Sequence, residues 1–266
     1  MKFPFFRKRI KKRLFVKVAG ATDIGLKRAK NQDSFFATAW PQSSEKVEAL
    51  LIVADGMGGL EAGEVASEMA VKIISDRYSE QILGQGICNE TLQSKLTSLV
   101  KDANRTIYSE TSEGLDGVNG SMGTTCTVGL VAENRFYIAH AGDSRAYLYR
   151  DKTLFQLTRD DSWVMDQVVS GNLSLSQARH HPNRNVITQA LGINQELDIE
   201  EIKIELQAGD RLLLCSDGLH GLVDDEDISN ILQEPSQESV IKALIDSAKA
   251  EGGHDNITTV IGDFSD

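Results

Sequence analysis

Short apolar runs, most of them rich in β-branched and aromatic residues, recur along the chain and stop at turn formers. They predict strands over 14–21, 34–39, 47–54, 124–131, 135–141, 146–149, 199–206, 211–215 and 258–261. Three other stretches repeat apolar positions at helical spacing. These are Val65, Ala66, Met69, Ala70, Ile73 and Ile74, then Leu92, Leu96, Leu99, Ala103 and Ile107, and finally Val240, Ile241, Leu244, Ile245 and Ala248. The helices come in clumps, while neighbouring strands are joined by short turns such as Glu133-Asn134 and Asp151-Lys152. That layout favours antiparallel sheets with helices packed outside over a regular βαβ alternation, so the expected class is α+β. Between 158 and 192 the pattern turns polar and irregular, with Gly171, Asn172, His180, His181 and Pro182, and it reads as a flap. Trp163 and Met165 read as packing residues at the start of a short helix there.

With 41% hydrophobic residues and four prolines in 266, the chain can bury a sizeable core and is neither disordered nor collagenous. The formal charge of −11 argues against a nucleic-acid partner held by phosphate neutralisation. Cys88, Cys126 and Cys215 are widely spaced and form no metal-ligand pattern, which suits a reducing, cytoplasmic setting. No apolar run approaches the roughly 18 to 20 residues of a membrane span. Charge is uneven: Lys2 to Lys17 holds eight basic residues and no acid, leaving 20 basic residues against 39 acids elsewhere. A secretory signal would follow such a start with an apolar stretch, and none follows. The start reads as a solvated tail over 1–13, ahead of a single domain over 14–266. Its weaker alternative is contact with an anionic membrane surface, made by Phe3, Phe5, Phe6 and the basic side chains.

Five aspartates fall at strand ends or in turns beside them: Asp33, Asp55, Asp143, Asp217 and Asp255. Any one Asp-Gly pair, such as Asp55-Gly56 or Asp217-Gly218, reads first as a turn, because glycine supplies positive φ. Jointly the acids say more, since strands of one sandwich bring their ends to a common rim. Two carboxylates 4 Å apart repel by about 4 kcal/mol at an effective dielectric of 20, so such a cluster calls for cations. Oxygen ligands without His or Cys select hard ions, hence Mg²⁺ or Mn²⁺. Two such ions would activate water and stabilise an in-line phosphoryl displacement, which points to phosphoester hydrolysis. A structural calcium site is the lesser alternative: the chain has no EF-hand loop, and its acids are spread along its whole length.

The same residues carry a family likeness. Thr22-Asp23-Ile24-Gly25, Arg28 and Asn31-Gln32-Asp33-Ser34 are followed by Val53-Ala54-Asp55-Gly56-Met57-Gly58-Gly59, Ala62-Gly63-Glu64 and Gly123-Thr124-Thr125. Then come Ala141-Gly142-Asp143-Ser144-Arg145, His181-Pro182-Asn183-Arg184-Asn185, Cys215-Ser216-Asp217-Gly218-Leu219 and His254-Asp255-Asn256-Ile257-Thr258. In this order the words resemble the bacterial metal-dependent serine/threonine protein phosphatases of type 2C, the PPM family. The resemblance implies a β-sandwich of two antiparallel sheets flanked by helical pairs, with metals in a cleft at one end. It implies that Asp55 bridges two metals, that Gly56 offers its backbone carbonyl, and that Asp217 and Asp255 are further ligands. Asp33 would hold water on a metal, and Asp143 with Asp217 would form a third metal site. Arg28 would hold the substrate phosphate, a role suited to a forked, permanently charged group. Phosphoprotein substrates and a cognate serine/threonine kinase follow as partners, and a monomer is expected.

The chain also departs from the family pattern. Met57 stands where animal relatives carry a His proposed as general acid, so no side chain is assigned to protonate the leaving alkoxide. Gln32 replaces an acid of those relatives, and Asp161 stands where many bacterial members have His. His140, His220 and His254 lie near the acids and read as structural residues. Gly58, Gly59 and Gly63 lack dinucleotide-loop spacing. Two hypotheses remain, a Mn²⁺- or Mg²⁺-dependent protein phosphatase and a pseudophosphatase that binds phosphoproteins without turnover. Retention of Arg28 and all the acids favours the first.

Overall fold

The computed structural model describes residues 13–40, 47–58, 62–81, 89–113 and 122–266. All of the basic tail except Arg13 therefore lies outside the described residues, as does Cys88. The elements run β1 (Phe15–Asp23), β2 (Asp33–Ala39), β3 (Val47–Met57), α1 (Ala62–Gln81), α2 (Asn89–Glu113), β4 (Gly123–Thr124), β5 (Cys126–Ala132), β6 (Arg135–Ala141), β7 (Arg145–Arg150) and β8 (Thr153–Gln156). They continue with α3 (Trp163–Val169), α4 (Leu175–Arg179), β9 (Glu200–Glu205), β10 (Arg211–Cys215), α5 (Asp217–His220), α6 (Asp225–Ile231), α7 (Gln237–Ala250) and β11 (Ile257–Ser265).

Two antiparallel sheets result, with strand orders β1-β11-β10-β7-β8 and β2-β3-β5-β6-β9. Each is covered on both faces, which is why the central strands read as unbroken apolar runs. Along β3 the period-2 alternation sends Leu50, Ile52 and Ala54 outward against α1 and α2, while Ala49, Leu51 and Val53 face the opposite sheet. Along β10, Leu212 and Leu214 face the same inter-sheet core, while Leu213 and Cys215 meet Val240, Ile241 and Leu244 of α7. Four layers, helix-sheet-sheet-helix, follow from this pattern. Each fully buried Leu or Ile contributes about 1.5–3 kcal/mol relative to exposure. The turns at Glu133-Asn134 and Asp151-Lys152 hold all four residues at positive φ, the geometry of a tight hairpin.

The α+β sandwich expectation is met, with three local corrections. The stretch 158–192 is not wholly irregular: besides the short helix expected from Trp163, which is α3 and is capped by Ser162, it contains α4, opened by a Ser174–Gln177 capping box. β8 has too few buried positions to show an alternation. α6 opens on Asp225, Glu226 and Asp227, acids that stabilise a helix start but hide its apolar spacing. Among the described residues, no helix is long and apolar enough to cross a membrane.

Candidate active site

Antiparallel pairing delivers the acids to one rim. Asp33, the first residue of β2, lies directly opposite Asp55 of β3, a register that sets their Cβ atoms roughly 4.5–5.5 Å apart. In the other sheet, Asp217 follows β10 as the first residue of α5, and Asp255 precedes β11. β10 and β11 pair through Cys215 and Thr259, so both acids come to the same end. Asp33 joins the two sheets there: its Oδ2 accepts from Ser216 Oγ at 2.7 Å and from Thr258 Oγ1 at 2.6 Å. Asp143 sits in the turn between β6 and β7. Thr125 ties that turn to Asp55, because its Oγ1 accepts from the Asp55 N–H at 2.9 Å and meets Ser144 Oγ at 2.8 Å.

Two glycines let the segments cross. A Cβ at Gly56 would stand 2.0 Å from the Gly63 carbonyl oxygen, and one at Gly218 would stand 1.9 Å from that of Asn256. Neither glycine is among those at positive φ, so the turn reading of the two Asp-Gly pairs is corrected to one of close backbone approach. Asn256 works in the same packing. Its Oδ1 accepts from the Gln32 N–H at 2.8 Å, and its side-chain amide donates to the carbonyls of Ile24 and Lys30 at 3.0 Å each.

The acids perturb one another. Burial raises the Asp33 pKa to about 6, with the charge of Asp255 adding and the two hydroxyls offsetting part of it. Burial and the charge of Asp255 and Asp33 raise Asp217 to about 7, against the opposing pull of Arg28. Asp55 is pushed well above the carboxylate range by burial and by Asp33, Asp217, Asp143 and Asp255. Asp143 is pushed up by burial and then by Asp217 and Asp160. Asp33, Asp143 and Asp217 each keep a buried Oδ1 with no hydrogen-bond partner. Asp33 and Asp143 are buried, while Asp55, Asp217 and Asp255 retain an edge open to solvent. At that edge the exposed Arg28 donates from Nη2 to Asp255 Oδ2 at 2.6 Å. That bond first, and the charges of Asp255, Asp217 and Asp55 after it, hold the Arg28 pKa above its ordinary value.

His140 and His220 are held in structural hydrogen bonds. His140 is buried between Thr127 Oγ1 and the Arg159 carbonyl, and His220 Nε2 meets the Asp143 carbonyl at 2.9 Å. Burial drives the His220 pKa down to about 3. Burial likewise pushes the Cys126 thiol up to about 12 and the Cys215 thiol higher still, so neither provides a thiolate nucleophile.

A family model described as protein phosphatase 2C matches residues 26–259. The chain belongs to the protein phosphatase 2C family. Over 255 residues this phosphatase 2C chain is 39% identical to "Serine/threonine protein phosphatase PstP" of Mycobacterium tuberculosis (strain ATCC 25618 / H37Rv), covering 95% of this chain and 46% of that protein. It thus spans about half the length of that relative. It is 35% identical over 243 residues to "Serine/threonine phosphatase stp" of Listeria monocytogenes serovar 1/2a, covering 90% and 92% of the two chains. The solved catalytic domain of PstP "in complex with 2 Manganese ions" superposes with a TM-score of 0.81 at 37% identity, covering 96% of this chain and all of that one.

Among the described residues, no group of three or more His, Cys, Asp and Glu side chains closes into a ready-made metal cage. The donors present nonetheless fit a divalent cation. Carboxylates supply oxygen alone, they raise one another's pKa, and three buried oxygens lack a donor. The sequence reading quoted Thr125, Ser216, Asn256 and Thr258 within its motif words but gave them no role; they supply the hydroxyls and amide that hold the acids. For Ser216, Asn256 and Thr258 the signal was adjacency, since each lies in a motif that contains a site aspartate.

Proposed function

We propose that this protein hydrolyses phosphoserine and phosphothreonine in proteins by direct attack of water on phosphorus, opposing a serine/threonine kinase in the cytoplasm. The carrying observation is the convergence of Asp33, Asp55, Asp143 and Asp217 on one rim, with Arg28 and Asp255 at its open edge. In this reading residues 14–266 form the catalytic unit, 158–192 its flap, and the chain acts as a monomer.

Asp55, the Gly56 carbonyl, Asp217 and Asp255 would hold two Mn²⁺ or Mg²⁺ ions, with Asp33 holding water on one of them and Asp143 with Asp217 serving a third. Bound there, divalent ions polarise water and neutralise phosphoryl charge. The rest falls to the chain. Arg28 grips the equatorial phosphoryl oxygens, and its pairing with Asp255 keeps it turned toward the cleft. Ser216 and Thr258 occupy one oxygen of Asp33, leaving Oδ1 free to orient the attacking water and accept its proton. The water oxygen bonds to phosphorus as the ester oxygen leaves with its electron pair and takes a proton from solvent water. No side-chain nucleophile is required.

Turnover of para-nitrophenyl phosphate and a phosphothreonine peptide, with and without Mn²⁺, tests this beside Asp55→Asn and Asp217→Asn. The expected outcome is Mn²⁺-dependent activity lost in both variants. Equal rates in all three proteins would overturn the assignment.

A further inference from the structure

We propose that Asp161 is a positioning residue that couples the flap to Asp143 by clamping the backbone of Gly142. The inference rests on the reading of Asp143 as a metal ligand and adds the residue that fixes where that ligand stands.

Asp143 occupies a turn whose preceding residue, Gly142, has φ near +114°. Besides the Thr127 Oγ1 bond to the Ser144 carbonyl at 3.2 Å, three groups pin this turn. Ser144 Oγ meets Thr125 Oγ1, His220 Nε2 meets the Asp143 carbonyl, and Asp161 grips Gly142 at two points. The Asp161 N–H donates to the Gly142 carbonyl at 2.7 Å, and Asp161 Oδ2 accepts from the Gly142 N–H at 3.0 Å. The first two holds come from the sandwich and α5. The third comes from the root of the flap.

Asp161 is also where the two legs of the flap meet. Its carbonyl accepts from the Thr188 N–H at 2.7 Å, Ser162 bridges to Ile187, and the Trp163 N–H donates to the Val186 carbonyl at 2.8 Å. Its Oδ1 faces outward to Arg159 at 3.6 Å, and the same guanidinium reaches Asp166 at 3.9 Å. One residue thus binds the outgoing leg, the returning leg and the ligand-bearing turn. Removing its side chain leaves a buried N–H at Gly142 without its acceptor, while an amide in its place still accepts.

The test compares wild type, Asp161→Ala and Asp161→Asn by three measurements: amide hydrogen exchange over residues 142–145 without metal, calorimetric titration with Mn²⁺ alone, and kcat and KM for the phosphothreonine peptide. In D161A, exchange at Gly142 should accelerate, and the weakest Mn²⁺ step should weaken about 10-fold or more, the usual cost of losing a group that orients a ligand. Tighter Mn²⁺ binding should stay within about twofold, and D161N should follow wild type in exchange and titration. D161N carries the test even where D161A does not fold. A D161N protein that loses the weak step overturns the proposal, as does D161A with a wild-type isotherm. If wild type itself binds no Mn²⁺, the metal reading of Asp143 falls and takes this inference with it. If wild type binds and D161A matches it, the coupling alone falls.

Discussion

β10 carries charge at both ends, and the two ends treat it differently. Arg211 opens the strand and forks onto Asp263, with Nε–Oδ1 at 2.6 Å and Nη2–Oδ2 at 3.1 Å, while its Nη1 donates to the carbonyls of Leu232 and Glu234. Beside it Arg150 grips Asp210 in the same two-pronged way, at 2.7 and 2.6 Å. At the far end, past Cys215, Asp217 meets Asp33, Asp55, Asp143 and Asp255, with Arg28 supplying a single bond to the rim. One end matches each acid to an arginine. The other leaves oxygens without donors, and that deficit marks it as a place for ligands from outside the chain.

Swapping the insult between the two ends breaks the comparison most directly. Asp217→Asn should cost about a thousandfold in turnover, roughly 4 kcal/mol, with little loss of stability in chelator. Asp210→Ala should do the reverse, lowering unfolding free energy by about 1–3 kcal/mol because it removes both prongs from Arg150 and the acceptor of the Gln207 N–H, while kcat stays near wild type. Urea melts and assays on both variants read this, and a D210A enzyme as inactive as D217N would erase the distinction. Next in size is metal removal. Saturation at about a hundred times Kd adds about 2.7 kcal/mol to the folded state, so excess chelator should lower Tm by several degrees in wild type and less in D217N. Arg28→Ala should reduce kcat/KM about 30-fold, roughly 2 kcal/mol, with the loss largely in KM for the phosphopeptide.

The last comparison is in pH. Without metal, the Asp217 pKa of about 7 stands above its ordinary 3.8, so the fold holds a proton that the unfolded chain has released. Stability from this group is complete below about pH 4 and is lost as pH rises toward 7. His220, pulled down to about 3, acts with the opposite sign as pH falls below 6.5, so the informative quantity is wild type minus D217N. In chelator, D217N should gain on wild type between pH 5 and 8, and saturating Mn²⁺ should shift the balance back to wild type. Parallel melting curves across that range would remove Asp217 from the coupled set.

What the sequence displayed depended on how many neighbours each pattern needs. The apolar runs of β3 and β10 were readable because both faces are buried, and burial writes itself into composition. β8 buries no residue fully, and α6 buries only Ile228, so neither leaves such a trace. The five acids were legible as a set from their places at strand ends. Their holders were not, because a threonine beside an aspartate looks the same whether its hydroxyl faces water or, like Thr258, a buried carboxylate. Asp-Gly misled for a related reason: glycine serves both twisted backbone and crowded backbone, and only the fold says which.

That crowding at Gly56 and Gly218 bears on how such a protein could lose its chemistry. A single added methyl would push β3 away from α1 and the Gln32 backbone at Gly56, or α5 away from the loop before β11 at Gly218, while every acid remained in the sequence. A descendant could therefore keep the full set of aspartates and still be inert, its decay recorded only in two positions that carry no functional group.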